Sequence, residues 1–312
     1  MYDSTKLNVI SWNVEDFVSI DALYKRHFFL NTLKKQDIIL LQEWNNKNDE
    51  GAKFIQSLKN SYSYSAVDRV AIIYSELVFD KSRTLFYDIP LVHESPSFIE
   101  KSYTSGRQKS NMLSILFPHD NKLLPICAIS MHLSAYSPRY HPGFHKKQLT
   151  GLLTASLSRI KEVGIKKFGL IVGGDTNYRN VGVNRDDLIG ELIPLSYRII
   201  DNNGILKDVC KNKCLHKSTQ SFKCVHEKNI AKKTMKFIRN YIYTSKNNKE
   251  SFIHDNRLDF ITTNLAINYN STKIVSLCDI SDHSAVVSQL VWTIPKSMNK
   301  YKKAGIIFFI SI

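Results

Sequence analysis

Cysteine, proline and glycine are scarce in this sequence, at five, eight and twelve of 312 residues. A cysteine count that is small and odd does not read as a disulfide framework, so a reducing compartment is expected: an intracellular chain, in cytoplasm or nucleus, and not a secreted one. So little glycine and proline excludes a collagen-like chain, and no Pro/Gly/Ser-rich linker divides the sequence. Long apolar runs are missing as well. No apolar segment follows Met1, and the most apolar terminus, Gly305 to Ile312, offers eight residues where a helical membrane span needs about twenty. Acidic residues are the minority charge, 28 against 43 Lys plus Arg, which leaves a formal +15. That balance favours a polyanionic partner, nucleic acid or an acidic lipid surface, and says nothing about fold.

What is present is core material. With 43% hydrophobic, 11% aromatic and 23% charged residues, the chain has the composition of a soluble globular protein and not of a disordered segment or a coiled coil. The expected organisation is one domain over 1–295 with a Lys-rich insertion near 211–256, followed by a tail at 296–312.

Short apolar runs of β-branched residues alternate with helix-period segments. The pattern predicts strands at Leu7–Val14, Asp37–Trp44, Arg69–Tyr74, Leu77–Phe86, Ser110–Phe117, Leu123–Leu133, Phe168–Gly173, Arg257–Thr263 and Ser284–Trp292. It predicts helices from Asp21 to Lys35 and from Lys146 to Val163, and a helix start at Asn184. Strands dominate, which implies layered sheets with helices outside.

Polar residues recur where those strands end. Asn13 closes the first strand, with Glu15 and Asp16 just beyond; Glu43 closes LLQEW; His132 closes ICAISMHL; Asp175 and Asn177 close FGLIVGGDTN; Asp259 lies in RLDFITT; Asp282 and His283 open SDHSAVV. A single strand-end Asp or Asn is ordinarily a turn former, but six such stations in one chain are hard to assign to turns. Their chemistry is also coherent. Glu43 and Asp282 supply the hard oxygen ligands that Mg²⁺ or Mn²⁺ prefers. Asp175 is suited to orient and deprotonate a water, and Asn177 to donate to a phosphate oxygen. His283, held by the Asp259 carboxylate, is suited to carry a proton and to stabilise transition-state charge. Together these residue types make up a metal-assisted phosphoester-hydrolysis set.

The ordered motifs ISWNVEDF, LLQEW, MHLSAY, VGGDTNYR, RLDFITT and SDHSAVV resemble those of the endonuclease/exonuclease/phosphatase superfamily, the DNase I-like fold. The resemblance spans Ile10 to about Val287. It implies an α/β, four-layer sandwich of two mixed β-sheets flanked by helices, with the site in the cleft at one rim. It also implies that Asn13 and Glu43 surround a divalent metal, that Asp175 and Asn177 activate water and hold phosphate, and that Asp259 pairs with His283 after Asp282. His132 would then lie near the leaving group. Mg²⁺ is the implied cofactor, with Mn²⁺ as substitute. Glu15 departs from the aspartate that apurinic endonucleases and tyrosyl-DNA phosphodiesterases carry there, and is expected to hold a metal-bound water. VGGDTNYR is similar both to tyrosyl-DNA phosphodiesterases and to inositol polyphosphate 5-phosphatases, and Tyr178 within it is a candidate substrate contact.

Other residues are more ambiguous. Arg107 and Arg139, in connections beside predicted strands, are candidate contacts to substrate phosphate or simply solvated basic side chains. Tyr136, Tyr140 and Phe144, interleaved with the charge around Arg139, suit base stacking or packing of a loop on its own body. Cys210, Cys214, His216, Cys224 and His226 could ligate zinc, but their spacing matches no zinc pattern, and a Lys-rich surface insertion without zinc is the preferred reading. The functional expectation is a Mg²⁺-dependent phosphodiesterase acting on DNA or RNA. The alternatives are an inositol phosphate, phospholipid or tyrosyl-nucleic acid adduct as substrate, or a catalytically silent binding module.

Overall fold

The computed structural model describes residues 5–14, 33–44, 61–90, 110–133, 144–176, 207–208, 259–275, 283 and 285–292. In chain order the elements are β1 (Thr5–Asn13), a 3₁₀ turn at Leu33–Lys35, β2 (Ile38–Gln42), β3 (Tyr62–Val67), β4 (Val70–Ser75), β5 (Leu85–Pro90), β6 (Ser110–Leu116) and β7 (Ile126–His132). Then follow α1 (Phe144–Glu162), β8 (Gly169–Asp175), β9 (Lys207–Asp208), β10 (Asp259–Thr263), β11 (Ala266–Val275) and β12 (Ala285–Trp292).

The strands form two six-stranded sheets among the described residues, ordered β11-β12-β1-β2-β4-β3 and β5-β6-β7-β8-β10-β9. Both are mixed: β1 runs parallel to β2 and β7 parallel to β8, while the other pairings are antiparallel. Central strands such as Ile38–Gln42 and Ile126–His132 are buried along their whole length, which is why they read as continuous apolar runs.

Three apolar layers hold the sandwich. Leu7, Val9, Ile38, Leu40, Ile72, Ala128, Ile171, Val286 and Leu290 meet between the sheets. Leu149, Leu152, Leu153 and Ile160 of α1 pack on Leu113, Ile129, Leu170 and Phe260 outside the second sheet. Ile10, Trp12, Leu33, Ile39, Leu41 and Trp44 bury the outer face of the first. Each fully buried large apolar side chain contributes roughly 1.5–3 kcal/mol against exposure.

The face between the sheets changes character along the strands. On β1 it runs Leu7, Val9, Ser11, Asn13; on β2 Ile38, Leu40, Gln42; on β7 Ile126, Ala128, Ser130, His132. At one end the gap is lined by apolar side chains; at the other it is lined by buried polar groups. That gradient puts the candidate residues Asn13 and His132 at one rim. It also requires the sheets to come close beneath it: a Cβ on Gly173 would lie 2.7 Å from Leu40 Cδ1 and 3.2 Å from Ser11 Cβ.

One sequence expectation fails over most of its length. Of Leu77–Phe86 only Leu85 and Phe86 are strand, opening Leu85–Pro90; turns occupy residues 76–78 and 81–83, with an isolated bridge from Phe79 to Pro118 between them. Asp80 Oδ1 accepts hydrogen bonds from the Ser82 N–H at 2.9 Å and the Ser82 hydroxyl at 2.7 Å, a local turn that competes with the ladder. Leu77 is left 82% exposed. Phe144, expected in a loop, opens α1, which starts before the expected Lys146. Most of the Asp21–Lys35 helix and the Asn184 helix start lie outside the described residues.

Candidate active site

Strand register brings most of the site together. In the second sheet His132 on β7 is the partner of Asp175 on β8, and Asp175 is the partner of Asp259 on β10. Three candidate side chains therefore lie abreast at one level of the sheet. In the first sheet Asn13 ends β1 beside Gln42, and its Nδ2 donates across the gap to Asp175 Oδ2 at 3.1 Å. His283, just before β12, places Nδ1 at 2.7 Å from Asp259 Oδ2 and Nε2 at 3.9 Å from Asp175 Oδ2. His132 Nε2 lies 3.7 Å from the same Asp175 oxygen and 3.6 Å from Glu43 Oε1.

Glu43 reaches this group by breaking the strand rule. Alternation after Ile39 and Leu41 would send its side chain to the outer face of the sheet. Its backbone instead takes φ +52°, a left-handed conformation that costs a non-glycine residue about 1 kcal/mol or more and recurs at functional sites. The carboxylate is turned toward His132, and its other oxygen, Oε2, accepts from Arg69 Nη2 at 3.3 Å.

Burial separates the carboxylates. Asp175 and Asp259 are 1% and 0% exposed, whereas the Glu43 side chain is 26% exposed. The Asp259–His283 contact at hydrogen-bond length directs Nδ1–H to the carboxylate and leaves Nε2 facing Asp175, whichever charge the ring carries.

The sequence reading therefore brought together Asn13, Glu43, His132, Asp175, Asp259 and His283. Glu15, Asn177, Tyr178, Asp282, Arg107, Arg139, Tyr136, Tyr140 and the Cys210–His226 cluster lie outside the described residues.

Two neighbours escaped sequence reading. Asn111 on β6 accepts from the His132 N–H through Oδ1 at 3.0 Å and is fully buried, with no partner for Nδ2 among the described residues. Nothing in KSNMLS marks it. Arg69 would have stood out only if the preceding strand, β3, had been recognised, because it then falls in a hairpin turn aimed at the end of β2.

The donor set fits a hard divalent cation. Asp175, Asp259 and His283 offer ligand atoms within 4.8 Å of one another; His283 Nδ1 already meets Asp259 at 2.7 Å, and the Glu43 carboxylate, 26% exposed, adds oxygen donors at the same rim. Mg²⁺ and Mn²⁺ favour oxygen donors of this kind, and carboxylates this deeply buried are stabilised by a nearby cation.

No family model matches the chain, and no curated protein matches it. Solved structures do. TDP2 of D. rerio complexed with single strand DNA product aligns at a TM-score of 0.54 and 15% identity, over 92% of this chain and 99% of that one. TDP2 from Caenorhabditis elegans gives 0.54 at 16% identity, over 92% and 74%. An endonuclease/exonuclease/phosphatase from Bacteroides vulgatus gives 0.57 at 12% identity, over 93% and 100%. The fold is the one these solved structures share, a DNase I-like sandwich. The DNase I-like sandwich explains how so low an identity keeps the architecture, since apolar alternation on central strands survives substitution as long as the pattern is kept. No helix among the described residues is long and apolar enough to cross a membrane.

Proposed function

We propose that this chain is a divalent-metal-dependent phosphodiesterase acting on nucleic acid. The observation that carries the reading is the convergence of Asn13, Glu43, His132, Asp175, Asp259 and His283 at one rim of a DNase I-like sandwich. Glu43 and Asn13, with Asp282 and Glu15, would hold Mg²⁺ or, in its place, Mn²⁺. When bound, the cation neutralises phosphoryl oxygen charge. Asp175 accepts the proton of an attacking water, oriented by the amide of Asn13 against its other lone pairs. Asn177 donates to a phosphate oxygen. His283, fixed by Asp259, stabilises charge on the phosphoryl group through Nε2, and His132 stands on the leaving-group side.

The substrate class rests on the formal charge of +15 and on the single strand DNA product held by the D. rerio TDP2 structure. The test is one panel: protein with Mg²⁺ or EDTA against single- and double-stranded DNA, RNA, abasic duplex, a 5′-tyrosyl oligonucleotide and an inositol polyphosphate. EDTA-sensitive cleavage confined to the nucleic acids is expected, with oligonucleotide binding that weakens steeply as salt rises. Turnover of inositol polyphosphate alone, or affinity indifferent to salt, overturns the nucleic-acid assignment.

Asp259→Asn tests the dyad. An amide at this position can present its NH₂ to Nδ1 and so move the ring proton to Nε2, the opposite of what the carboxylate enforces. Turnover is expected to fall by about two to four orders of magnitude with the fold intact. The nitrogen chemical shifts of His283 report the tautomer directly; an unchanged tautomer together with unchanged turnover removes Asp259 from this role.

A further inference from the structure

The ion pair between Arg69 and Glu43 is delivered by two left-handed turns. Val67 pairs with Val70 across the β3–β4 hairpin, so Asp68 and Arg69 form a two-residue turn, with Asp68 at φ +47°. So short a connection fixes the direction of its residues. Arg69 then touches the Glu43 turn twice: its carbonyl accepts from the Trp44 N–H at 2.9 Å, and its guanidinium donates to Glu43 Oε2 at 3.3 Å. The first contact belongs to the backbone and survives any substitution of the side chain. The second places a permanent positive charge on the one partly exposed carboxylate of the site among the described residues.

We propose that Arg69 sets how tightly the site holds its divalent cation, by competing with it for the Glu43 carboxylate. The inference rests on the assignment of Glu43 as a metal ligand above. Two cations that share one carboxylate weaken each other's hold, because each lowers the charge the other meets and the two repel. Orientation of Glu43 does not depend on the guanidinium alone. The Trp44–Arg69 main-chain bond anchors the turn, and His132 lies 3.6 Å from the other carboxylate oxygen. Removing the charge should therefore tighten metal binding, where a merely structural ion pair would loosen it. Arg69 is thus a positioning residue that acts on the metal through Glu43.

The test is Mn²⁺ titration without substrate, by calorimetry or by the electron paramagnetic resonance of the free ion. It compares the intact chain with Arg69→Gln, Arg69→Lys and Glu43→Gln, each checked by melting. Arg69→Gln keeps a donor for Glu43 and removes the charge; Mn²⁺ affinity is expected to rise about tenfold at low ionic strength, with the gain shrinking as salt is added. Arg69→Lys keeps the charge and should stay within about twofold of the parent. Arg69→Met supplies a second uncharged side chain should Arg69→Gln fail to fold. Unchanged or weakened affinity in the uncharged variants overturns the inference. Affinity indifferent to Glu43→Gln instead overturns the metal assignment itself, a separate outcome read in the same experiment.

Discussion

Asp175→Asn should lower turnover by about two to four orders of magnitude while leaving the protein folded and its metal dependence little changed. The substitution keeps the size of the side chain and its ability to accept the Asn13 amide hydrogen bond at 3.1 Å. What it removes is the basicity needed to take a proton from water. Asp175 is almost wholly buried and faces both imidazoles at 3.7 and 3.9 Å. Glu43→Gln should behave differently. Its carboxylate is assigned to the cation, so the loss should be offset in part by millimolar Mg²⁺ or by Mn²⁺. Turnover measured against metal concentration for both variants, with circular dichroism and melting as controls, separates the roles. The same metal dependence in both, or parent activity in Asp175→Asn, would show that the two carboxylates have been assigned the wrong tasks.

Gly174→Ala should be the most damaging single change to stability near the site, costing about 3 kcal/mol or more. Gly174 has φ +149°, a conformation that residues with a side chain rarely adopt, and an added Cβ would sit 1.9 Å from the Met131 carbonyl oxygen. That oxygen belongs to the backbone of β7, so relief requires the β7–β8 ladder to move. The same ladder holds His132 level with Asp175. Gly173→Ala makes a useful contrast, because its nearest clash, at 2.7 Å, is the far end of the Leu40 side chain; about 1–2 kcal/mol is expected. Chemical denaturation of both variants checks the order. A Gly174→Ala chain as stable as the parent would mean that the ladder accommodates the methyl group, and that the close approach of the two strands is not a constraint.

The strands that sequence pattern located are those buried on one or both faces. β1, β2, β7, β8 and β12 carry apolar residues that local periodicity detects, because burial is what imposes the pattern. The longer strands it missed or misplaced are β3, β5 and β11, and all three stand at sheet edges. Tyr62–Val67 reads YSYSAV with most of its residues only partly buried, and Ala266–Val275 reads AINYNSTKIV with a register irregularity between Asn268 and Lys273. An edge strand has one neighbour and much solvent, so its side chains are under little pressure to alternate.

For the candidate site, the sequence by itself determined which residue types stand at separate strand ends: an Asn, a Glu, a His, an Asp and an Asp–His pair, together with a basic charge excess. Motif order sufficed for this because each polar residue interrupts the apolar pattern at the end of its own strand, wherever that strand lies in the chain. Tertiary structure alone decided how they meet. Asn13 and Asp175 are 162 positions apart and joined by a hydrogen bond, a relation that arises only when two sheets close over a polar rim. The left-handed turn at Glu43 and the hairpin that brings Arg69 to it are likewise absent from any local pattern. Periodicity encodes which face of a strand is buried, whereas the distance between the ends of different strands is set by register, by sheet packing and by backbone turns that no single segment contains.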